Sequence, residues 1–104
     1  MATQSTSTAS ISWFDNNGQL HIRVYSSDGD TVTERCADGN GWTTGSFSAP
    51  GSAVSATCWW QENVGVHMRV YCSAIDSSTE EYTTTEWCND PGNSDWTKGS
   101  YTPG

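Results

Sequence analysis

An all-β fold is the expectation for this chain, and three observations carry it. Fourteen Thr, fifteen Ser and ten Gly stand beside a single Leu, a mixture that favours short strands and tight turns over helices. The segment "LHIRVY" (20–25) alternates cleanly, with His21, Arg23 and Tyr25 on one face and Leu20, Ile22 and Val24 on the other. The chain also repeats itself: "WFDNNGQLHIRVY" (13–25) lies over "WWQENVGVHMRVY" (59–71) at a constant shift of 46.

In chain order, residues 1–10 read as a loosely ordered polar arm, 11–55 as a first repeat and 56–104 as a second. Each repeat reads as three or four short strands. Asp28-Gly29 is a two-residue hairpin signal. If it forms the turn, Arg23 faces Glu34, Tyr25 faces Val32 and His21 faces Cys36. The second repeat keeps the matching pairs, Arg69 with Glu86 and His67 with Cys88, provided its longer loop grows symmetrically. "TERCADGNGWTTGSF" (33–47) returns as "TEWCNDPGNSDWTKGSY" (85–101), but the shift has grown to 52 at the Glu and 54 at the Trp. The extra residues fall in "SAIDSSTEEY" and "DPGNSD", turn-like sequence where added length costs little.

Repeats of this length with about four strands have the period of propeller blades. Two blades do not close a ring, and Leu, Ile, Val and Phe together number only twelve, so the chain's own core is thin. Six Trp and four Tyr still argue for a folded chain over a disordered one. Cyclic association of identical chains is the expected remedy. Three copies give six blades.

A net charge of −8 with four Lys and Arg repels phosphate backbones and anionic lipid, which sets nucleic acid and membrane surfaces aside. No apolar run approaches spanning length, and "MATQSTSTAS" lacks the basic and apolar regions of a secretion signal. Localisation is therefore not read. None of the four cysteines (36, 58, 72 and 88) forms a C-x-x-C pair. Cys58 and Cys72 flank a predicted hairpin, which makes a bridge between them an expectation. No metal, nucleotide or hydrolase motif appears, so no cofactor and no catalytic residue is expected. A His–Cys site is a weaker reading than small residues packed within a blade.

Each repeat carries one Arg, one opposed Glu and one Trp after a turn. A carboxylate accepts from adjacent hydroxyls, a guanidinium donates in a fixed fork, and an indole covers an apolar C–H face. These groups suit a neutral sugar. An opposed Arg–Glu pair is in most sheets simply a cross-strand ion pair worth about 0.2–1 kcal/mol, and spacing alone leaves both readings open.

"HIRVY…TERCADGNGWTTGSF" and "HMRVY…TEWCNDPGNSDWTKGSY" resemble the Aleuria-type fucose-binding lectins, and most of all their short two-repeat members, which trimerise into a six-bladed propeller. The resemblance covers about residues 10–102. It implies a non-enzymatic, multivalent lectin for L-fucose and fucosylated oligosaccharides, with sites between blades. One site would combine Arg23 and Glu34 with Trp96 of the same chain. The other would combine Arg69 and Glu86 with Trp42 of a neighbouring chain. Backbone at Gly45-Ser46 and Gly99-Ser100 would approach the sugar, and Ile22 or Met68 would border its methyl group. Short members commonly carry a Trp directly after the motif Cys, where this chain has Ala37 and Asn89. That departure motivates a second reading, a structural or protein-interaction propeller with altered sugar sites.

Overall fold

The computed structural model describes residues 6–103. They form eight strands and two separate four-stranded antiparallel sheets. The first blade runs β1 (Ser7–Phe14), β2 (Leu20–Ser27), β3 (Thr31–Ala37) and β4 (Trp42–Pro50). The second runs β5 (Ala53–Gln61), β6 (Gly65–Asp76), β7 (Glu81–Asn89) and β8 (Thr97–Lys98). Strand order follows chain order in each sheet, the meander of a propeller blade. Residues 7–10, read as arm, open β1, and residues 53–55, read as the end of the first repeat, open β5. The remainder of the arm, residues 1–5, lies outside the described residues.

The β2–β3 register differs from the expected one by two residues. Arg23 faces Cys36 and Tyr25 faces Glu34, so Arg23 and Glu34 are diagonal neighbours rather than an opposed pair. His21 lies beyond the last pair of that ladder and does not face Cys36. The cause is local to the turn. The Asp28 carboxylate accepts from the backbone N–H of Asp30 and of Thr31, both at 3.0 Å. Asp28 therefore occupies the first corner, and Gly29, at φ +110°, follows it. The turn is centred on Gly29-Asp30 instead of Asp28-Gly29. A two-residue slip keeps every side chain on its face. Arg69 likewise faces Cys88, and Tyr71 faces Glu86.

The insertion in the second copy grows symmetrically. It adds three rungs to the hairpin, Ala74↔Thr83, Ile75↔Tyr82 and Asp76↔Glu81. Cys58 sits opposite Met68, and Cys72 opposite Val54. The two cysteines are thus four positions apart along the sheet, about 13 Å, beyond the roughly 7 Å that a disulfide spans. Both thiols are free, and burial pushes that of Cys72 up to about 11.

The blades pack unlike faces together, and this arrangement positions the site. The polar face of the first blade (His21, Arg23, Tyr25) covers the apolar face of the second (Met68, Val70, Cys72). The core accordingly mixes Ile11, Tyr25, Val32, Phe47 and Ala49 with Met68, Val70 and Cys72. Contact between the sheets is closest along β1 and β5, where Ser7 Oγ accepts from the Val54 N–H at 3.1 Å. Among the described residues nothing covers two faces, the apolar face of the first blade and the polar face of the second. The radius of gyration is 14.4 Å, against about 13 Å for a compact domain of this length.

Candidate functional site between the blades

Glu34 is held from three directions. Tyr25, directly opposite, donates its hydroxyl to Glu34 Oε2 at 2.7 Å. Burial first, and the Glu34 charge second, drive the Tyr25 phenol far upward, so it remains a donor. A bulge between Thr33 and Arg35 sets Gly45, Ser46 and Phe47 against the single residue Glu34. The Phe47 N–H then donates to Oε1 at 3.4 Å. Gly45 lies directly on the carboxylate, where any Cβ would overlap it. Only 4% of Glu34 is exposed.

The second blade repeats this cradle. Tyr71 donates to Glu86 Oε2 at 2.8 Å and the Tyr101 N–H to Oε1 at 3.1 Å. Those two bonds hold the Glu86 carboxyl below the usual carboxylate range. Gly99 presses on Glu86 as Gly45 does on Glu34.

The carboxylate partner of each Arg is one that the expected register did not supply. Arg23 Nη1 donates to Asp38 Oδ1 at 2.7 Å, and Arg69 Nη1 to Asp90 Oδ1 at 2.8 Å. The guanidinium lies 5.0 Å from the ring centroid of Trp13 in one copy and 4.9 Å from that of Trp59 in the other. His21 stacks on Trp13 and His67 on Trp59, with interplanar angles of 12° and 5°. Each imidazole Nδ1 is 2.6 Å from the same Asp that holds the Arg. Burial opposes charge on Asp38, but the bonds from His21 and Arg23 outweigh it and hold the carboxyl low. Bonds from Arg69, then His67, do the same for Asp90.

The copies differ at the other imidazole nitrogen. His21 Nε2 reaches Asp15 Oδ2 at 2.8 Å, whereas His67 Nε2 reaches Gln61 Oε1 at 2.7 Å. Caught between two acceptor-only carboxylates, His21 needs both protons. Asp15, then Asp38, raise its pKa.

The second blade supplies the opposite wall of the first site. Trp96 packs edge-on against Phe47 at 4.8 Å and against Tyr25 at 6.1 Å. Met68 Sδ lies 3.9 Å from the Tyr25 hydroxyl. A groove of about 310 Å³ runs here, lined by Ser46, Phe47, Ser48, Trp87, Asp95 and Trp96. Of the expected residues, Ser46 and Trp96 line this groove. Glu34 and Met68 meet at the Tyr25 hydroxyl with Gly45 on the carboxylate, and Arg23 shares the face of Tyr25, against Asp38 and Trp13. Arg69, Glu86, Gly99 and Ser100 gather on the uncovered face of the second blade. Trp42, at 50% exposure, stands with Ile22 and Ala37 on the uncovered face of the first. Asn89 faces Met68 within the ladder.

Sequence reasoning missed Asp38, Asp90 and Trp87. Trp87 was legible as the mismatch between "TERC" and "TEWC". It supplies an aromatic wall one residue before the Cys, where the resemblance suggested one residue after.

Two four-stranded blades packed on unlike faces, with a carboxylate, a guanidinium and indoles near their junction, define a member of the β-propeller class. The profile of the fungal fucose-specific lectins matches residues 1–103. The chain belongs to this family and is by membership a fucose-binding lectin. No curated protein sequence matches it.

Proposed function

We propose that the chain binds L-fucose and fucosylated glycans without transforming them, at sites between blades, several to an assembly. The observation that carries this reading is the junction itself. Trp96 of the second blade stands on Tyr25 and Phe47, the residues that hold and overlie Glu34 in the first. A fucose there would find Glu34 to accept from its hydroxyls, Arg23 to donate, an amide-lined bulge at Gly45-Ser46, and apolar cover from Trp96 and Met68. Arg23 and Asp38 neutralise each other, and the charge that faces an uncharged ligand, the Glu34 carboxylate, is held by two neutral donors, the Tyr25 hydroxyl and the Phe47 N–H.

The second site needs another chain. Tyr71 and Tyr101 pack edge-on at 5.8 Å, as Tyr25 and Phe47 do at 5.6 Å. Their missing third ring corresponds to Trp42. The uncovered polar face of the second blade is complementary to the uncovered apolar face of the first in the way already used inside the chain. That contact is heterologous and closes after three copies into six blades and six sites. Modest sites on one rigid ring then bind a fucose-rich surface by avidity.

Intrinsic Trp fluorescence titrated with L-fucose tests the reading. A saturable change is expected, and Arg23→Ala is expected to remove one of two site classes while Arg69→Ala removes the other. A flat titration, with no binding on a fucosylated glycan array, would reject it in favour of a protein-interaction propeller.

A further inference from the structure

The two copies agree at the Glu, Arg, Asp and Tyr of the site but disagree on the face that closes it. Trp87 pairs with Val70 and Arg35 with Val24, the same rung of the two sheets. Trp87 lines the interblade groove, whose lining carries a single formal charge, the carboxylate of Asp95. The repeat relation gives the lining of the groove between chains: Ser100, Tyr101 and Thr102 on one side, Arg35, Gly41 and Trp42 on the other. Arg35 replaces Trp87 and Gly41 replaces Asp95, so an acidic groove becomes a basic one.

Arg35 is free to act there. Arg23 and Arg69 are each paired with an Asp. Arg35 is exposed and has no ion pair among the described residues; its one hydrogen bond runs from Nη1 to Thr44 Oγ1 at 2.8 Å. On the facing sheet, the Glu86 oxygens already accept from Tyr71 and Tyr101. Four guanidinium N–H donors are left, in the fork that matches a sulfate or carboxylate.

The geometry points to unlike specificities. The Arg35 groove takes fucosylated glycans bearing an anionic substituent, sulfate or carboxylate, next to the fucose, and the Trp87 groove takes neutral ones. This rests on the interblade fucose reading above. The one lysine, Lys98, lies 5.9 Å from the Trp87 ring, beside the groove within the chain and not in the Arg35 groove, so it serves as a control for a cation elsewhere on the surface. The net charge of −8 gives no long-range help to an anion, which makes the preference short-ranged and salt-sensitive.

Calorimetric titration of the full chain tests it, with methyl fucoside, a neutral fucosylated trisaccharide, and the sulfated and sialylated derivatives of that trisaccharide. At low salt an acidic derivative is expected to bind about fivefold more tightly than the neutral one, at one site per chain. Arg35→Gln should bring the acidic-to-neutral ratio close to one, and Lys98→Met should leave it as in the wild type. A gain with only the sulfated or only the sialylated ligand supports the proposal and names the anion. No gain in the wild type, or a gain that survives Arg35→Gln in a chain of unchanged assembly mass, overturns it. Failure of methyl fucoside to bind overturns the fucose reading instead.

Discussion

Gly45 is where the site depends on a missing atom. The bulge brings its Cα onto the Glu34 carboxylate, and a methyl group has nowhere to go. Gly45→Ala is expected to cost about 1–3 kcal/mol of stability and to displace Glu34, so that fucose titration loses the Arg23 site and retains the Arg69 site. Gly99→Ala should do the reverse. His21 offers a second test at this scale. Its raised pKa, caused first by Asp15 and then by Asp38, means that its bonds stabilise the fold below the unfolded imidazole value, about 6.5, and fade as pH rises through the folded value. Asp15→Asn copies the arrangement at Gln61, where an amide can turn to suit either imidazole form. The melting temperature of the wild type should exceed that of Asp15→Asn most between about pH 5 and 6, below the unfolded imidazole value, and the difference should shrink as pH rises through the raised folded value. A constant difference across that range would remove the titration of His21 as its cause.

At the scale of strands and hairpins, the β2–β3 and β6–β7 ladders explain how much of the fold and site was legible. Alternation assigned the faces of His21 through Tyr25, because strand period depends only on neighbouring residues. Register depended on whether Asp28 entered the turn or capped it. That choice rests on two backbone N–H groups meeting one carboxylate oxygen, a geometry that dipeptide preference does not encode. The expected register put Glu34 opposite Arg23 instead of opposite Tyr25 and hid the role of Asp38, yet left all four groups on one face. The thin core and the repeat pointed to blades. The packing of unlike faces was not legible, because it depends on long-range pairing. The same logic makes the hairpin extension dispensable. None of its residues lines the groove at Trp96. Ala74, Ile75 and Tyr82 instead border a shallow groove with Gly29, Asp30 and Gly51 of the first blade, and Tyr82 is 66% exposed and Ile75 is exposed as well. Removing residues 74–76 together with 81–83 leaves the turn 77–80 joined at Ser73 and Thr84, the lengths of the first copy. Fucose affinity should be unchanged and stability should move by less than about 1 kcal/mol; a loss of binding would give the extension a role in recognition.

For the whole molecule, the decisive residues are Phe14 and Leu20. They form a cross-strand pair on the outer apolar face of the first blade, with 64% of Phe14 and 40% of Leu20 exposed. In an isolated chain, replacing both with Glu would touch nothing and shift stability by at most about 0.5 kcal/mol each. In a closed ring the same face would lie against the Arg69 face of the next chain, where the matching rung inside the chain, Trp60 with Val66, is partly covered. Drawing two carboxylates into that contact costs free energy that an isolated chain does not lose. The wild type is therefore expected to show a solution mass near 34 kDa, three times the 11.3 kDa chain, and the double variant a mass near one chain. Binding should follow assembly. The proposed site of Arg23, Glu34 and Trp96, internal to the chain, should survive, while Arg69 and Glu86 should lose the wall that Trp42 would supply in the ring. Stoichiometry should fall from two fucose per chain to one. A variant that stays trimeric, or a monomer that keeps both sites, would contradict closure through these two faces.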